Sequence, residues 1–269
     1  ACCQKVEEMK WPKGYLCDKC QHCKYWKFKR GCKDIFQCKS CNHQCSLTAG
    51  TLFEHTRLPL TTWFLAIHLI SQSKNSVSGL ELHRQLKVNH KTGWLMKHKI
   101  MAALFDAERQ QKLCARVEIH DAYLGAELER GGMGNCSKHK ALFIAAVQTN
   151  GKGHPMHARF TPVGDFTRTS IANWAERNLL KGVHCVTNEL SCFKALEEYG
   201  THEVHSSKRK DSGKSIFYWV NTILRNVKTS LSGTYHSIKY YKYGFRYLAD
   251  LQFRFNRRFD LRKLFFSLI

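Results

Sequence analysis

The chain has 269 residues, and its 43 Lys and Arg residues against 21 Asp and Glu residues give a formal net charge of +22. Hydrophobic residues make up 43% of it, enough for a buried core. No run of apolar residues is long enough to cross a membrane, so we expect no membrane partner. Such a charge on a folded chain favours nucleic acid as the partner over a generally lysine-rich surface.

The thirteen cysteines of the chain are the next signal. Their number is odd and the N-terminus has no apolar signal-peptide core, so we expect a reducing cytoplasm and no disulfide framework. Two Cys-x-x-Cys pairs lie near the N-terminus, and their four members are Cys17, Cys20, Cys38 and Cys41. Two such turns can direct four thiolates to one tetrahedral Zn²⁺ ion. We therefore predict a zinc ribbon over residues 1–50, with Cys23, Cys32 and Cys45 open as competing ligands.

Residues 51–110 have the periodicity of helices and form the second predicted domain. After a first helix from Leu60, two shorter helices at 76–86 and 90–99 are separated by a break at 87–89. This pattern, with a polar and basic start to the second helix, is typical of a helix-turn-helix. Five side chains are predicted to face DNA: His90, Lys91, Thr92, Lys97 and Lys99. The predicted inner face holds Leu82, Leu86, Val88, Trp94 and Leu95. The alternative is a helical hairpin with a solvated basic face.

Residues 115–269 alternate between strand and helix signals and form the third predicted domain. Strands are predicted at 116–125, 141–149, 156–161 and 184–187, and helices at 170–180, 192–199, 219–231 and 240–259. Three strands in a meander, then a helix and a strand, is the order of an α/β ribonuclease-H-like fold with a mixed sheet. That fold brings side chains from two central strands and one helix together, as two-metal phosphoryl transfer requires.

Seven short motifs, spread over nearly the whole chain, resemble bacterial insertion-sequence transposases with an N-terminal zinc ribbon and a DDE-type core. They lie at residues 46–51, 59–63, 91–94, 117–125, 219–222, 229–236 and 255–258. The resemblance implies binding of double-stranded DNA at terminal inverted repeats and at target sites, with Mg²⁺-dependent strand cleavage and joining. It also implies a homo-oligomer on DNA and a nucleoid-associated location in the bacterial cytoplasm.

The resemblance also places the catalytic residues, at His120, Asn188, Asn221 and Lys228. The family has Asp at the first two positions; Asn occurs at the third in one branch, with Lys seven residues later. None of the three ligand positions is anionic here, whereas Mg²⁺ prefers anionic oxygen. We therefore predict a transposase whose catalysis is weak or absent.

Two alternatives to an impaired transposase remain open, and the first depends on carboxylates near the family's ligand positions. Asp121 is expected to point to the opposite face of its strand from His120. A competent enzyme would need a shifted metal site, with Glu118 or Glu189 as substitute ligands. The other alternative is a DNA-binding protein without catalysis, either a repressor or a domesticated transposase.

Overall fold

The computed structural model of the chain describes residues 1–31, 33–109, 111–125, 141–206, 216–235 and 238–260. These residues group into two compact units. The first comprises Ala1–Ser73 and Gly79–Ala103, and the second comprises Lys74–Ser78 and Leu104–Asp260. The predicted three-domain division at residues 50 and 110 remains a prediction. Among the described helices, none combines the length and apolar character needed to span a bilayer.

The first unit begins with a short helix, α1, which is followed by a three-stranded antiparallel sheet in the order β1-β2-β3. This part of the unit has four elements. Its elements are α1 (Cys2–Lys10), β1 (Tyr25–Arg30), β2 (Lys33–Cys38) and β3 (Gln44–Ser46). One face of the sheet is buried, with Phe36 at its centre. The rings of Trp11, Tyr15 and Tyr25 pack around Phe36 at centroid distances of 4.7, 6.2 and 5.4 Å. This aromatic cluster is the small hydrophobic core of the N-terminal region.

Three helices follow the sheet along the chain: α2 (Leu60–Gln72), α3 (Gly79–Leu86) and α4 (His90–Glu108), of which α4 belongs to the first unit as far as Ala103. The helices α3 and α4 approach so closely that no side chain fits between them at one point. A Cβ atom added to Gly93 would lie 2.9 Å from the carbonyl oxygen of Gly79, inside van der Waals contact. The turn between the helices passes through Lys87, whose φ is +54°. Asn89 then caps α4, because its Oδ1 accepts the backbone N–H of Lys91 at 2.9 Å.

The second unit contains a five-stranded mixed sheet in the order β6-β5-β4-β7-β8. The strands are β4 (Arg116–Leu124), β5 (Ala141–Thr149), β6 (Pro155–Pro162), β7 (Val183–Thr187) and β8 (Gly200–Val204). β4, β5 and β6 are antiparallel neighbours, while β7 runs parallel to β4 and to β8. This is the predicted ribonuclease-H-like order with β4 at its centre, so the predicted fold class is confirmed. The edge strand β8 was not predicted.

Helices cover both faces of this sheet. On one face, α5 (Arg168–Asn178) and a 3-10 helix (Ser191–Glu198) pack in a hydrophobic cluster with Val117 and Ile119 of β4. On the other face lie α6 (Tyr218–Thr234) and α7 (Tyr240–Asn256). Gly244 of α7 lies where an added Cβ would be 3.6 Å from the Leu124 side chain.

A buried carboxylate, Glu108 at the end of α4, lies in the second unit and is paired within it. It accepts hydrogen bonds from Arg257, from Gln252 Nε2 at 3.0 Å and from Asn256 Nδ2 at 2.7 Å. Burial acts to raise the pKa of Glu108, but these donors outweigh it, Arg257 most of all, and lower the pKa. The group is therefore ionised and paired in the folded state.

We expect Glu108→Ala to destabilise the protein by about 3–5 kcal/mol, because it leaves the Arg257 charge near the interior without its partner. Asp106→Ala on the same helix is the matched control. Asp106 is exposed and pairs with Arg109 at 3.9 Å, so its loss should change stability by no more than about 0.5 kcal/mol. Urea unfolding curves measure both. Since the folded pKa of Glu108 is lowered, its contribution should be present at neutral pH and disappear as acid protonates it. Equal effects of the two variants would contradict this assignment.

Candidate functional site

The four cysteines of the two Cys-x-x-Cys pairs come together in the first unit. The Sγ atoms of Cys17, Cys20, Cys38 and Cys41 all lie within 4.8 Å of one another. The closest contacts are 3.6 Å between Cys17 and Cys41 and 3.5 Å between Cys20 and Cys38. Four thiolates around one zinc ion at about 2.3 Å would be separated by about 3.8 Å. The donor set therefore fits a tetrahedral metal site with four sulfur ligands.

Backbone N–H groups lower the pKa of one thiol in each turn, Cys17 and Cys38, and so favour the thiolate form that metal binding requires. A backbone N–H acts to lower the pKa of Cys20 as well, but the neighbouring thiols outweigh it and raise that pKa to about 12. Desolvation of the Cys17 thiol acts to raise its pKa, but backbone N–H groups of Cys20 and Lys19 lower it to about 6. Of the three competing thiols, Cys23 is exposed and Cys45 is buried on β3; neither belongs to the four-sulfur cluster. Cys32 lies outside the described residues.

The region predicted as a helix-turn-helix exposes only part of its predicted DNA-facing set. His90 and Lys91 are exposed at the start of α4, and Thr92 is half-buried. Lys97 is 1% exposed, so the prediction that its side chain faces outward is wrong. Lys99 is also turned inward, because its Nζ donates to the Glu54 carbonyl oxygen at 2.6 Å and lies 5.7 Å from the Trp63 ring centroid.

Helical periodicity explains these corrections. The buried stripe of α4 is formed by Gly93, Met96, Lys97, Ile100, Met101 and Leu104. Position 97 lies one turn after Gly93 on that stripe, whereas Leu95 lies off it and is 51% exposed rather than on the predicted inner face. Leu82 is buried as predicted, and Leu86, Val88 and Trp94 are half-buried. Two exposed cations beside the turn, Arg84 and Lys87, were missed by sequence reasoning, although their basic charge was visible.

At the centre of the core sheet, the structure brings His120 and Asn188 together around one carboxylate. Asn188 Nδ2 donates to Asp121 Oδ1 at 2.8 Å, and the same oxygen lies 3.3 Å from His120 Nδ1. The Asn188 amide oxygen accepts the Leu190 backbone N–H at 3.4 Å, so it faces its own loop. The expectation that Asp121 points away from His120 is therefore wrong for the carboxylate itself.

The Glu118 carboxylate is buried and bonded to the start of α6 and to Arg116. It is 2% exposed, and its Oε2 accepts the backbone N–H groups of Trp219 at 3.2 Å and Val220 at 3.0 Å. Its Oε1 pairs with Arg116 Nη1 at 3.0 Å. The carboxylate thus caps the start of α6, and both oxygens are engaged. This geometry does not support Glu118 as a substitute metal ligand. Glu189, the other candidate, is exposed in the loop after β7.

Asn221 and Lys228 lie on α6, two turns apart, and both are exposed. Asn221 is one turn after Phe217, whose ring is 5.9 Å from the His120 ring centroid. Lys228 Nζ lies 5.5 Å from the Tyr123 ring centroid, so α6 carries it towards the end of β4. The four predicted catalytic positions therefore occupy β4, the end of β7 and one helix, with Asp121 the carboxylate nearest to His120 and Asn188.

Comparison with known proteins identifies the family. The ISXO2-like transposase domain matches residues 112–256, more than half of the chain. A curated protein in the transposable element ISH50 of Halobacterium salinarum is 28% identical over 172 residues, which cover 57% of this chain and 56% of that protein. The chain thus spans little more than half the length of this relative.

Solved structures of Mos1 show a weaker likeness. The Mos1 strand transfer complex is 9% identical, covers 73% of this chain and 77% of that chain, and has a TM-score of 0.25. The pre-cleavage Mos1 transpososome is 10% identical, covers 76% and 81%, and has a TM-score of 0.24. These TM-scores are too low to support a structural relationship. The family assignment rests on the domain match. The chain belongs to the ISXO2-like transposase family.

Proposed function

We propose that this chain is an insertion-sequence transposase that binds duplex DNA at terminal inverted repeats, and that its strand-cleavage step is impaired. The observation that carries the proposal is the side-chain set at the centre of the core sheet. At the three positions where a transposase core holds its metal ligands, this chain has an imidazole, His120, and two amides, Asn188 and Asn221. Asp121, the nearby carboxylate, already accepts the amide hydrogen of Asn188.

This set does not fit the magnesium ions that the family implies. Mg²⁺ takes near-octahedral oxygen ligands, usually with one or two carboxylates. Here the Asn188 oxygen faces its own loop, and the two Glu118 oxygens are engaged by Arg116 and by the start of α6. These residues therefore do not support strand cleavage by bound magnesium ions. The residues that remain competent are those proposed for DNA binding.

DNA binding is proposed for the first turn of α4 and the turn before it. His90, Lys91 and Thr92 would contact the duplex, with the neighbouring cations Arg84 and Lys87 on phosphates. The chain's net charge of +22 supports this reading, since phosphate neutralisation supplies most non-specific affinity. By family we also propose a homo-oligomer on paired DNA ends, located on the nucleoid of a bacterial cytoplasm, and Zn²⁺ as the ion of the four-cysteine site.

A second candidate is a repressor or domesticated protein that binds DNA without catalysis. The same ligand set favours it, because loss of metal ligands leaves the exposed start of α4 untouched. Genomic context separates the two: inverted repeats flanking the gene support the transposase, and their absence supports the repressor.

We expect Cys38→Ser to lose the bound zinc and Cys23→Ser, the matched control, to retain it. Of these two residues, only Cys38 belongs to the four-sulfur cluster. A ribbon this small draws most of its folding energy from the metal. Plasma mass spectrometry of the purified chains gives the metal content. Zinc lost equally from both variants would assign Cys23 to the site.

Lys91→Ala should weaken duplex binding and reduce the slope of log affinity against log salt by about 1, as expected for one phosphate contact. Lys97→Ala is the contrasting variant, since its buried side chain cannot reach a phosphate; it should lower stability and leave the slope unchanged. Fluorescence anisotropy with a terminal-repeat duplex over a salt series measures both. An unchanged slope in Lys91→Ala would remove this residue from the interface.

Restoring both lost carboxylates, by His120→Asp with Asn188→Asp, should increase strand cleavage by at least about 100-fold. Even outer-shell changes at metal sites cost about 10- to 100-fold, and ligands contribute more. Cleavage of a terminal-repeat duplex with Mg²⁺ or Mn²⁺ is the measurement, and His120→Asp alone is the control. Robust cleavage by the unaltered chain would refute the impairment. If that activity disappears in Glu189→Gln, the metal site has shifted.

A further inference from the structure

The zinc-ribbon motif leaves open what the three-stranded sheet binds, and one of its faces suggests an answer. Cross-strand pairs align Trp26 with Gln37 and Gln44, Phe28 with Ile35 and Ser46, and Arg30 with Lys33. We call these eight residues the Trp26 face. The opposite face carries Phe36, Cys38 and Cys45 and is buried. The Trp26 face is therefore the outer surface of the sheet.

An exposed aromatic ring is the main feature of this face. Trp26 is 62% exposed, and the Nζ of Lys39 lies 3.8 Å from its ring centroid. The indole is thus left largely in water, whereas the rings of Tyr25 and Phe36 in the same sheet are packed together. The Lys39 ammonium is attracted to the ring face, so a positive charge stands beside the exposed indole.

The polar groups beside the ring are held in place by one another. Arg30 Nη2 donates to Gln44 Oε1 at 3.2 Å, and Gln44 Nε2 donates to Gln37 Oε1 at 2.9 Å. Gln37 Nε2 in turn donates to Asn42 Oδ1 at 3.3 Å. These bonds order flexible side chains before any partner arrives, which reduces the entropic cost of binding.

The charge on this face has a single sign. Its ionisable members are Arg30 and Lys33, with Lys39 beside the ring, and none of the eight residues is acidic. Two acids of the same region, Asp34 and Glu7, both pair with Lys27, which belongs to the opposite face. A protein partner would have to be acidic and flat, whereas a nucleic acid supplies both phosphates and planar bases.

We propose that the Trp26 face binds single-stranded DNA by stacking a base on the Trp26 indole, with Lys39 moving off the ring to neutralise phosphates together with Arg30 and Lys33. Stacking on an isolated ring needs an open base face, and within a duplex each base face is covered by its neighbours. Exposed aromatic rings in cationic surroundings are how proteins hold unpaired strands. The inference rests on the DNA-binding part of the proposed function and assigns a second contact, distinct from the start of α4.

The test uses the full zinc-loaded chain and a short fluorescein-labelled oligothymidylate. Trp26→Ala should weaken binding about 5- to 150-fold, the loss expected for one stacked base, whereas Trp26→Phe should retain most of the affinity. Tyr241→Ala is the matched control, because Tyr241 is an exposed aromatic residue of the second unit with 89% exposure. Equal zinc content in all variants shows that the ribbon remains folded.

A parallel titration with a terminal-repeat duplex separates the two proposals. Duplex binding that survives Trp26→Ala, with oligothymidylate binding lost, supports the inference. Oligothymidylate affinity that is unchanged in Trp26→Ala, or equally reduced in Tyr241→Ala, overturns it. Duplex binding without any oligothymidylate binding sinks this inference alone, whereas failure to bind either DNA sinks the proposed function as well.

Discussion

The geometry of the core depends on one buried charge, the carboxylate of Glu118 on the central strand. Two backbone N–H groups at the start of α6 and the guanidinium of Arg116 neutralise it. A helix N-terminus is a favourable place for an anion, and a buried anion without partners is costly. Strand β4 and helix α6 are therefore held together. His120 lies two residues after Glu118 on β4, and Asn221 follows Val220 on α6. The contacts of Glu118 therefore help to set the positions of both residues.

Much of the fold could be predicted from the sequence, because its main strands and helices have clear hydrophobic patterns. The apolar run of β5 and the amphipathic pattern of α6 are local signals, and both elements are where they were expected. Three elements escaped prediction, α1, β3 and β8. The strand β8 is mostly exposed and has no apolar alternation, since it forms only by pairing with β7. The helix α1 buries only Val6, so its sequence carries almost no helical stripe.

The candidate sites show the same division between local and long-range information. Cysteine spacing is local, and the predicted cluster formed as expected. The burial of Lys97 was not predicted, because lysine is almost always solvated and only the packed structure shows that position 97 lies on the buried stripe of α4. Asp121 is the clearest case. The alternation of a strand specifies where Cβ points, but the carboxylate beyond it was drawn to an amide donor from another loop, Asn188.

The contact between Gly79 and Gly93 has a consequence for how this chain changes over generations. The two helices meet there through backbone atoms, so their crossing angle owes little to the identity of the surrounding side chains. Residues on the outer surface of α4 are then free to vary while the helix keeps the same tilt. Exchanges at exposed positions of α4 therefore change the surface that the helix presents while its packing on α3 stays the same.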